Sequence, residues 1–166
     1  METTIVCKSL TGNTRLLADV LSEYIKTKVQ DLKNECCIPE SKIVCVGFWT
    51  DKGTCDEDVQ KFLSSLHDKK VFLFGTAGFG GQEDYFQAII QRVSAYLDES
   101  NEVIGSFMCQ GKMPKGVKDR YIKMLENNPE DIHIKGMIDN FEKALDHPND
   151  EDLERFKVVI KDIFCS

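Results

Sequence analysis

Four short apolar runs, each released into a loop rich in glycine and hydroxyls and then into a helix, restrict this chain to few folds. The runs are Ile5–Cys7, Lys42–Phe48, Lys70–Phe74 and Glu102–Cys109. They are continuous rather than alternating, the signature of strands covered on both faces, as in a parallel sheet. Between them lie amphipathic stretches. Thr14 to Lys28 places Leu16, Leu17, Val20, Leu21, Tyr24 and Ile25 at helical spacing, with Val29 just beyond. Asp56–Leu66 and Asp84–Leu97 follow the second and third runs, and Lys115–Leu125, Pro129–Asp146 and Glu151–Phe164 follow the last. Gln30–Ser41 is the weak point: its one apolar cluster is Cys36, Cys37 and Ile38, before Pro39, so a short edge strand or none is expected there. Strands alternating with helices in 166 residues imply one domain, a doubly wound parallel sheet with helices on both faces and extra helices at the C-terminal end.

Ligands of such sheets bind outside the carboxyl ends of the strands. The turns leaving those ends here are Ser9–Thr14, Trp49–Thr54, Gly75–Gly81 and Cys109–Lys112. All of the chain's unusual chemistry sits on them. Ser9-Leu10-Thr11-Gly12-Asn13-Thr14 carries three hydroxyls, one amide and one glycine without a charge, just before a helix. Hydroxyls, backbone N–H groups and the helix dipole together suit a phosphate dianion, and a capped strand-to-helix turn is the plain alternative. The next two turns each bring one large aromatic, Trp49 and Phe79, among small residues. A planar, largely apolar ring with a phosphate tail fits the set.

The motif S-L-T-G-N-T after an N-terminal strand resembles the phosphate loop of flavodoxins, usually T/S-x-T-G-N-T, and the order of elements downstream agrees over nearly the whole chain. The resemblance implies a flavodoxin-like strand order 2-1-3-4-5 and FMN as cofactor. Carried over by position, Ser9, Leu10, Thr11, Gly12, Asn13 and Thr14 would bind the phosphate. Trp49, Thr50 and Gly53 from the third-strand loop, with Thr76, Ala77, Gly78, Phe79 and Gly80 from the fourth, would clamp the ring. The chain departs from the family in two places: Trp49 precedes Thr50, where Pro-Thr-Trp or a Met-Gly turn is usual, and the fourth-strand loop has Phe79 in place of an acidic residue and a Tyr. Asp51, Asp56, Glu57 and Asp58 are candidates for acidic groups near the ring, and the Gly53 carbonyl is a candidate partner for the flavin N5.

Other chemistries lack their residues. The sequence has no G-x-x-x-x-G-K-[ST], no G-x-G-x-x-G after a strand and no G-x-S-x-G. A receiver domain would need acids where Lys8-Ser9 and Gly47-Phe48 stand. His67, His133 and His147 are scattered and read as surface or capping residues. Seven cysteines without a C-x-x-C argue for a reducing compartment, with Cys7, Cys45 and Cys109 as core residues and the vicinal Cys36-Cys37 pair as ordinary packing before a redox or metal role. The net charge of −7 argues against nucleic acid and anionic membranes and allows steering toward a basic protein partner. With no secretory leader pattern and no spanning segment, a cytoplasmic location is the default expectation.

Three functions follow. The first is an FMN-binding one-electron carrier, a monomer or weak dimer, shuttling between a reductase and an acceptor enzyme. The second is an FMN-dependent reductase that uses a nicotinamide cofactor and a quinone or small substrate. The third is a non-redox interaction module on the same fold.

Overall fold

A computed structural model describes residues 2–33 and 37–165. In chain order the elements are β1 (Thr3–Cys7), α1 (Asn13–Ile25), β2 (Val29–Asp31), β3 (Ile43–Trp49), α2 (Glu57–Ser64) and β4 (Lys70–Ala77). They continue with α3 (Glu83–Ser94), β5 (Glu102–Gln110), α4 (Lys115–Asn127), α5 (Ile132–Ala144) and α6 (Asp150–Phe164). All strand pairings are parallel and the sheet order is β2-β1-β3-β4-β5. The expected 2-1-3-4-5 sheet with extra C-terminal helices is therefore present. No helix among the described residues is long and apolar enough to cross a membrane.

The continuous apolar runs are buried on both faces. Ile5, Cys7, Cys45, Phe72 and Phe74 face Leu17, Leu21, Phe156 and Ile160, so α1 and α6 cover one side. Val6, Val44, Val46, Val71 and Leu73 face Val59, Leu63, Ile89 and Val93, so α2 and α3 cover the other. The pleat turns successive side chains to opposite layers, which is why neither set of positions can be polar. The α4 and α5 helices pack on one another, burying Tyr121, Ile134, Phe141 and Ala144.

Two boundaries differ from the sequence expectation. The first helix ends at Ile25, not Lys28, because Lys26 adopts a left-handed conformation (φ 57°) whose N–H returns to the Ser22 carbonyl. The chain is thereby freed for β2 at Val29–Asp31, earlier than the Cys36–Ile38 stretch expected to carry any edge strand. Of the vicinal pair, Cys37 is exposed and Cys36 lies outside the described residues.

Gly47 and Gly75 shape the sheet centre. A Cβ on Gly75 would lie 2.6 Å from Phe48 Cζ, and one on Gly47 would lie 2.6 Å from Phe74 Cε2. Phe48 pairs with Gly75 and Gly47 with Phe74 in the β3–β4 register, so each glycine accommodates the ring of the facing strand. Both rings are fully buried. Gly75→Ala is expected to lower stability by about 1–3 kcal/mol through overpacking, seen as a lower Tm. An unchanged Tm would show that the contact is slack.

Candidate functional site

The carboxyl ends of β1, β3, β4 and β5 open into one cavity of about 450 Å³. The four turns singled out in the sequence converge there, and the structure adds a wall from α4. Most of the lining is apolar or aromatic, with Trp49, Phe79, Tyr85 and Tyr121 as its rings.

The first loop divides its residues between two jobs. Leu10, Thr11 and Asn13 line the cavity. Gly12 stands at the N-cap of α1 with φ +92°, a conformation other residues rarely adopt, and no side chain caps the helix. The N–H groups of the first turn are thus open to an external acceptor. Ser9 Oγ accepts the Gly12 N–H at 3.1 Å and holds the loop's own shape, facing a shallower recess with Lys8 and Arg15. Thr14 is fully buried. Its hydroxyl donates to the Phe48 carbonyl at 3.1 Å and meets Thr76 Oγ1 at 2.9 Å, fastening the loop to β3 and β4. The Thr14 hydroxyl, expected to bind phosphate, is instead engaged within the protein, whereas Ser9 accepts one N–H and keeps its own proton.

The β3–α2 turn is locked from both sides. Trp49 Nε1 donates to Asp56 Oδ2 at 3.1 Å, while Asp56 Oδ1 caps α2 by accepting the Val59 N–H at 3.1 Å. One carboxylate therefore fixes both the helix start and the indole. Thr50 Oγ1 donates to the Thr76 carbonyl at 2.9 Å. Lys52 (φ 50°) and Gly53 (φ 84°) form the two-residue tip of a tight hairpin closed by Asp51 and Thr54. The Gly53 carbonyl accepts Arg92 Nη1 at 3.1 Å, so that candidate acceptor already has a partner.

Thr76 and Ala77 belong to the buried end of β4, not to a loop. The Gly78 carbonyl accepts from Gln110 Nε2 (3.0 Å) and Asn140 Nδ2 (3.1 Å), tying the turn to β5 and α5. A Cβ on Gly78 would sit 2.5 Å from Met113 Cγ. Phe79 lines the cavity with 41% of its surface exposed, and Gly80 lies outside the lining, against Gln110. The fourth loop is held by Gly111 N–H to the Ala77 carbonyl (2.9 Å), Asn13 Nδ2 to the Lys112 carbonyl (2.8 Å) and Lys112 N–H to the His147 carbonyl (2.9 Å).

The charge around the cavity is opposite to the expectation. None of Asp51, Asp56, Glu57 or Asp58 lines it: Asp58 pairs with Lys8 at 2.7 Å and Glu57 with Lys61 at 2.9 Å. The charged lining residues are Lys52, Lys112 and Arg120. Sequence reasoning also missed Tyr85, Val117 and Tyr121. Tyr85 stands in the first turn of α3 straight after the glycine-rich turn, a position that periodicity assigns to a helix face without saying which way it looks. Burial pushes the Tyr85 phenol above its ordinary range.

The remaining candidates sit elsewhere. His67 and His133 are exposed, as expected, whereas His147 Nδ1 meets the buried Asp152 carboxylate at 2.6 Å. Asp152 also accepts from Arg155 at 3.0 Å and completes the α6 capping box with Asn149. Cys7, Cys45, Cys55 and Cys109 are buried free thiols. No group of three or more His, Cys, Asp or Glu residues suited to a metal occurs among the described residues.

An uncharged loop at an open helix N-terminus, with aromatic turns beside it on the carboxyl edge of a 2-1-3-4-5 sheet, defines the flavodoxin class of α/β protein. The chain belongs to the flavodoxin-domain family, whose model matches residues 4–161. It is 38% identical over 179 residues to the flavodoxin-like domain-containing protein BilS of Clostridium symbiosum strain WAL-14163, covering 95% of this chain and 93% of that protein. To the BilS protein of Clostridioides difficile strain CD3 it is 33% identical over 170 residues, covering 98% and 96%. A flavodoxin of Streptococcus pneumonia TIGR4 shares the fold at TM-score 0.60 and 16% identity, covering 98% of this chain and 97% of that one. A flavoprotein of Lactobacillus acidophilus NCFM in complex with FMN aligns at TM-score 0.52 and 15% identity, covering 64% and 92%.

Proposed function

We propose that the cavity binds FMN and that the protein is a one-electron carrier serving a reductase and an acceptor enzyme. One observation carries the reading: Thr11 and Asn13, at the uncapped start of α1, line the same cavity as Trp49, Phe79 and Tyr85. That donor set suits a phosphate, because backbone N–H groups and the dipole favour a dianion without a cation in the loop. The cavity volume suits a ligand of FMN's size. The FMN complex of the Lactobacillus flavoprotein, which shares this fold, supports the same cofactor.

When bound, FMN supplies the redox-active ring. The chain's own residues would hold and shield it. Thr11 and the first-turn N–H groups would anchor the phosphate, with Asn13 keeping the fourth loop beside them. Trp49, with its indole fixed by Asp56, would stack on the ring, with Phe79 and Tyr85 in reach of its faces. Met113 fills the space that a Cβ on Gly78 would take, so this turn of the wall admits only glycine. Lys52, Lys112 and Arg120, in place of the anticipated carboxylates, would ease added negative charge. Stepwise anaerobic reduction of the FMN-loaded protein tests the reading. A carrier accumulates a one-electron form. A reductase passes directly to the two-electron form and turns over added NADPH.

A further inference from the structure

The mouth of the cavity has a charge unlike that of the whole chain. The net charge is −7, yet the charged residues lining the cavity are three exposed cations, Lys52, Lys112 and Arg120. None of the three takes part in an ion pair or side-chain hydrogen bond among the described residues. Elsewhere many cations are neutralised locally: Lys8 by Asp58, Arg15 by Asp19 and Asp31, Lys61 by Glu57, Lys118 by Glu142 and Arg155 by Asp152. Asp51, Glu83, Asp84 and Asp119 adjoin the mouth in sequence without lining the cavity.

The rim is apolar as well as basic. Leu10 is 62% exposed and Phe79 is 41% exposed, both on turns that open onto the cavity. An exposed Leu and Phe beside unpaired cations form a small contact patch with a polar, charge-selective border. The backbone of Lys112 is tied to the first loop through Asn13, which sets this residue beside the loop read as the phosphate site. Lys52, on the β3–α2 hairpin, and Arg120, on α4, line the cavity from different elements.

We propose that this mouth docks the acidic face of a partner redox protein, with Leu10 and Phe79 in apolar contact and Lys52 and Arg120 meeting carboxylates. The inference rests on the FMN-carrier reading. It reverses the steering suggested by net charge: the acidic remainder of the surface repels an acidic partner from every side but this one, and so orients it onto the cavity.

Stopped-flow oxidation of the reduced, FMN-saturated protein by two probes tests the proposal. The probes are the acidic copper protein plastocyanin and the basic haem protein cytochrome c. Each productive encounter takes one electron from the cofactor to the metal, Cu(II) becoming Cu(I) or Fe(III) becoming Fe(II). The plastocyanin rate is expected to fall about tenfold as ionic strength rises from about 0.01 to 0.3 M. In the K52E/R120E variant that dependence is expected to vanish or reverse, while cytochrome c gains rate at low salt. The single K112E variant, measured at saturating FMN, is expected to change the slope less. A plastocyanin rate that climbs with salt and is unaltered in K52E/R120E overturns the proposal. So does citrate inhibition beyond its ionic-strength contribution, which would assign the cations to a small anion. Protein that takes up no FMN overturns the carrier reading and this one together. Protein that takes up FMN but shows no charge selectivity overturns docking alone.

Discussion

Thr11→Asp is expected to weaken FMN binding by at least about 100-fold while leaving riboflavin binding almost unchanged. Thr11 is exposed on the first loop and lines the cavity, so the substitution costs little in folding. A carboxylate there faces the phosphate dianion across the open helix N-terminus. Two unit charges about 4 Å apart at an effective dielectric of about 20 interact by about 4 kcal/mol. A loss of about 2.8 kcal/mol, or 100-fold, therefore allows for solvent screening at an exposed site. Riboflavin has the ring without the phosphate and does not meet the new charge. Quenching of flavin fluorescence on titration into apoprotein reads both affinities. Equal weakening of FMN and riboflavin would mean that the loop holds the ring rather than the phosphate.

The second large effect is on stability in alkali. Burial pushes the thiols of Cys7 and Cys45 from an ordinary value of 9.0 up to about 12, and that of Cys55 to about 11. Cys109 is raised in the same direction, by burial first and then by the Asp152 charge. Below pH 9 these thiols are protonated in both folded and unfolded chains and make no difference to pH dependence. Above pH 9 the unfolded chain loses protons that the folded one retains, so stability falls as pH rises toward the folded values. Each thiol contributes a slope of about 1.4 kcal/mol per pH unit, and the four together roughly 5. A domain of ordinary stability is lost within about one to three pH units on that slope. Tyr85, also raised by burial, adds in the same sense. Chemical unfolding at pH 7, 9 and 10 is expected to show little change over the first interval and a steep loss over the second. Cys45→Ala should start less stable at pH 7, because it leaves a cavity, and then fall less steeply. Parallel curves for the two proteins would remove the thiols from the account.

The fold was legible because its strands are buried on both faces: runs such as Lys42–Phe48 and Lys70–Phe74 leave no solvent side to read otherwise. The edge strand was not, since β2 has three residues with two exposed, and its place follows from the left-handed turn at Lys26. Within the site, the turns were visible but the division of labour on them was not. Thr14 looks like a ligand in the loop and is buried as a fastener, because β3 supplies a carbonyl acceptor and β4 a second hydroxyl across 34 and 62 residues. The acids after Trp49 were legible as charges, yet Asp56 is used by the indole and the α2 cap, and Asp58 by Lys8. Arg120 and Tyr121 reach the cavity only through the way the α4–α5 pair sits over the fourth loop. That arrangement depends on contacts such as Asn140 with Gly78, distant in sequence and unmarked by any motif.

The most direct measurement is the visible spectrum of the FMN-reconstituted protein during stepwise anaerobic reduction. The account predicts tight one-to-one uptake of FMN and a long-wavelength band that rises to a maximum near half reduction and then disappears, the mark of a one-electron carrier. Uptake without that band, with direct passage to the fully reduced form, would contradict the carrier assignment. A protein that remains colourless in excess FMN would contradict the assignment of the cavity itself.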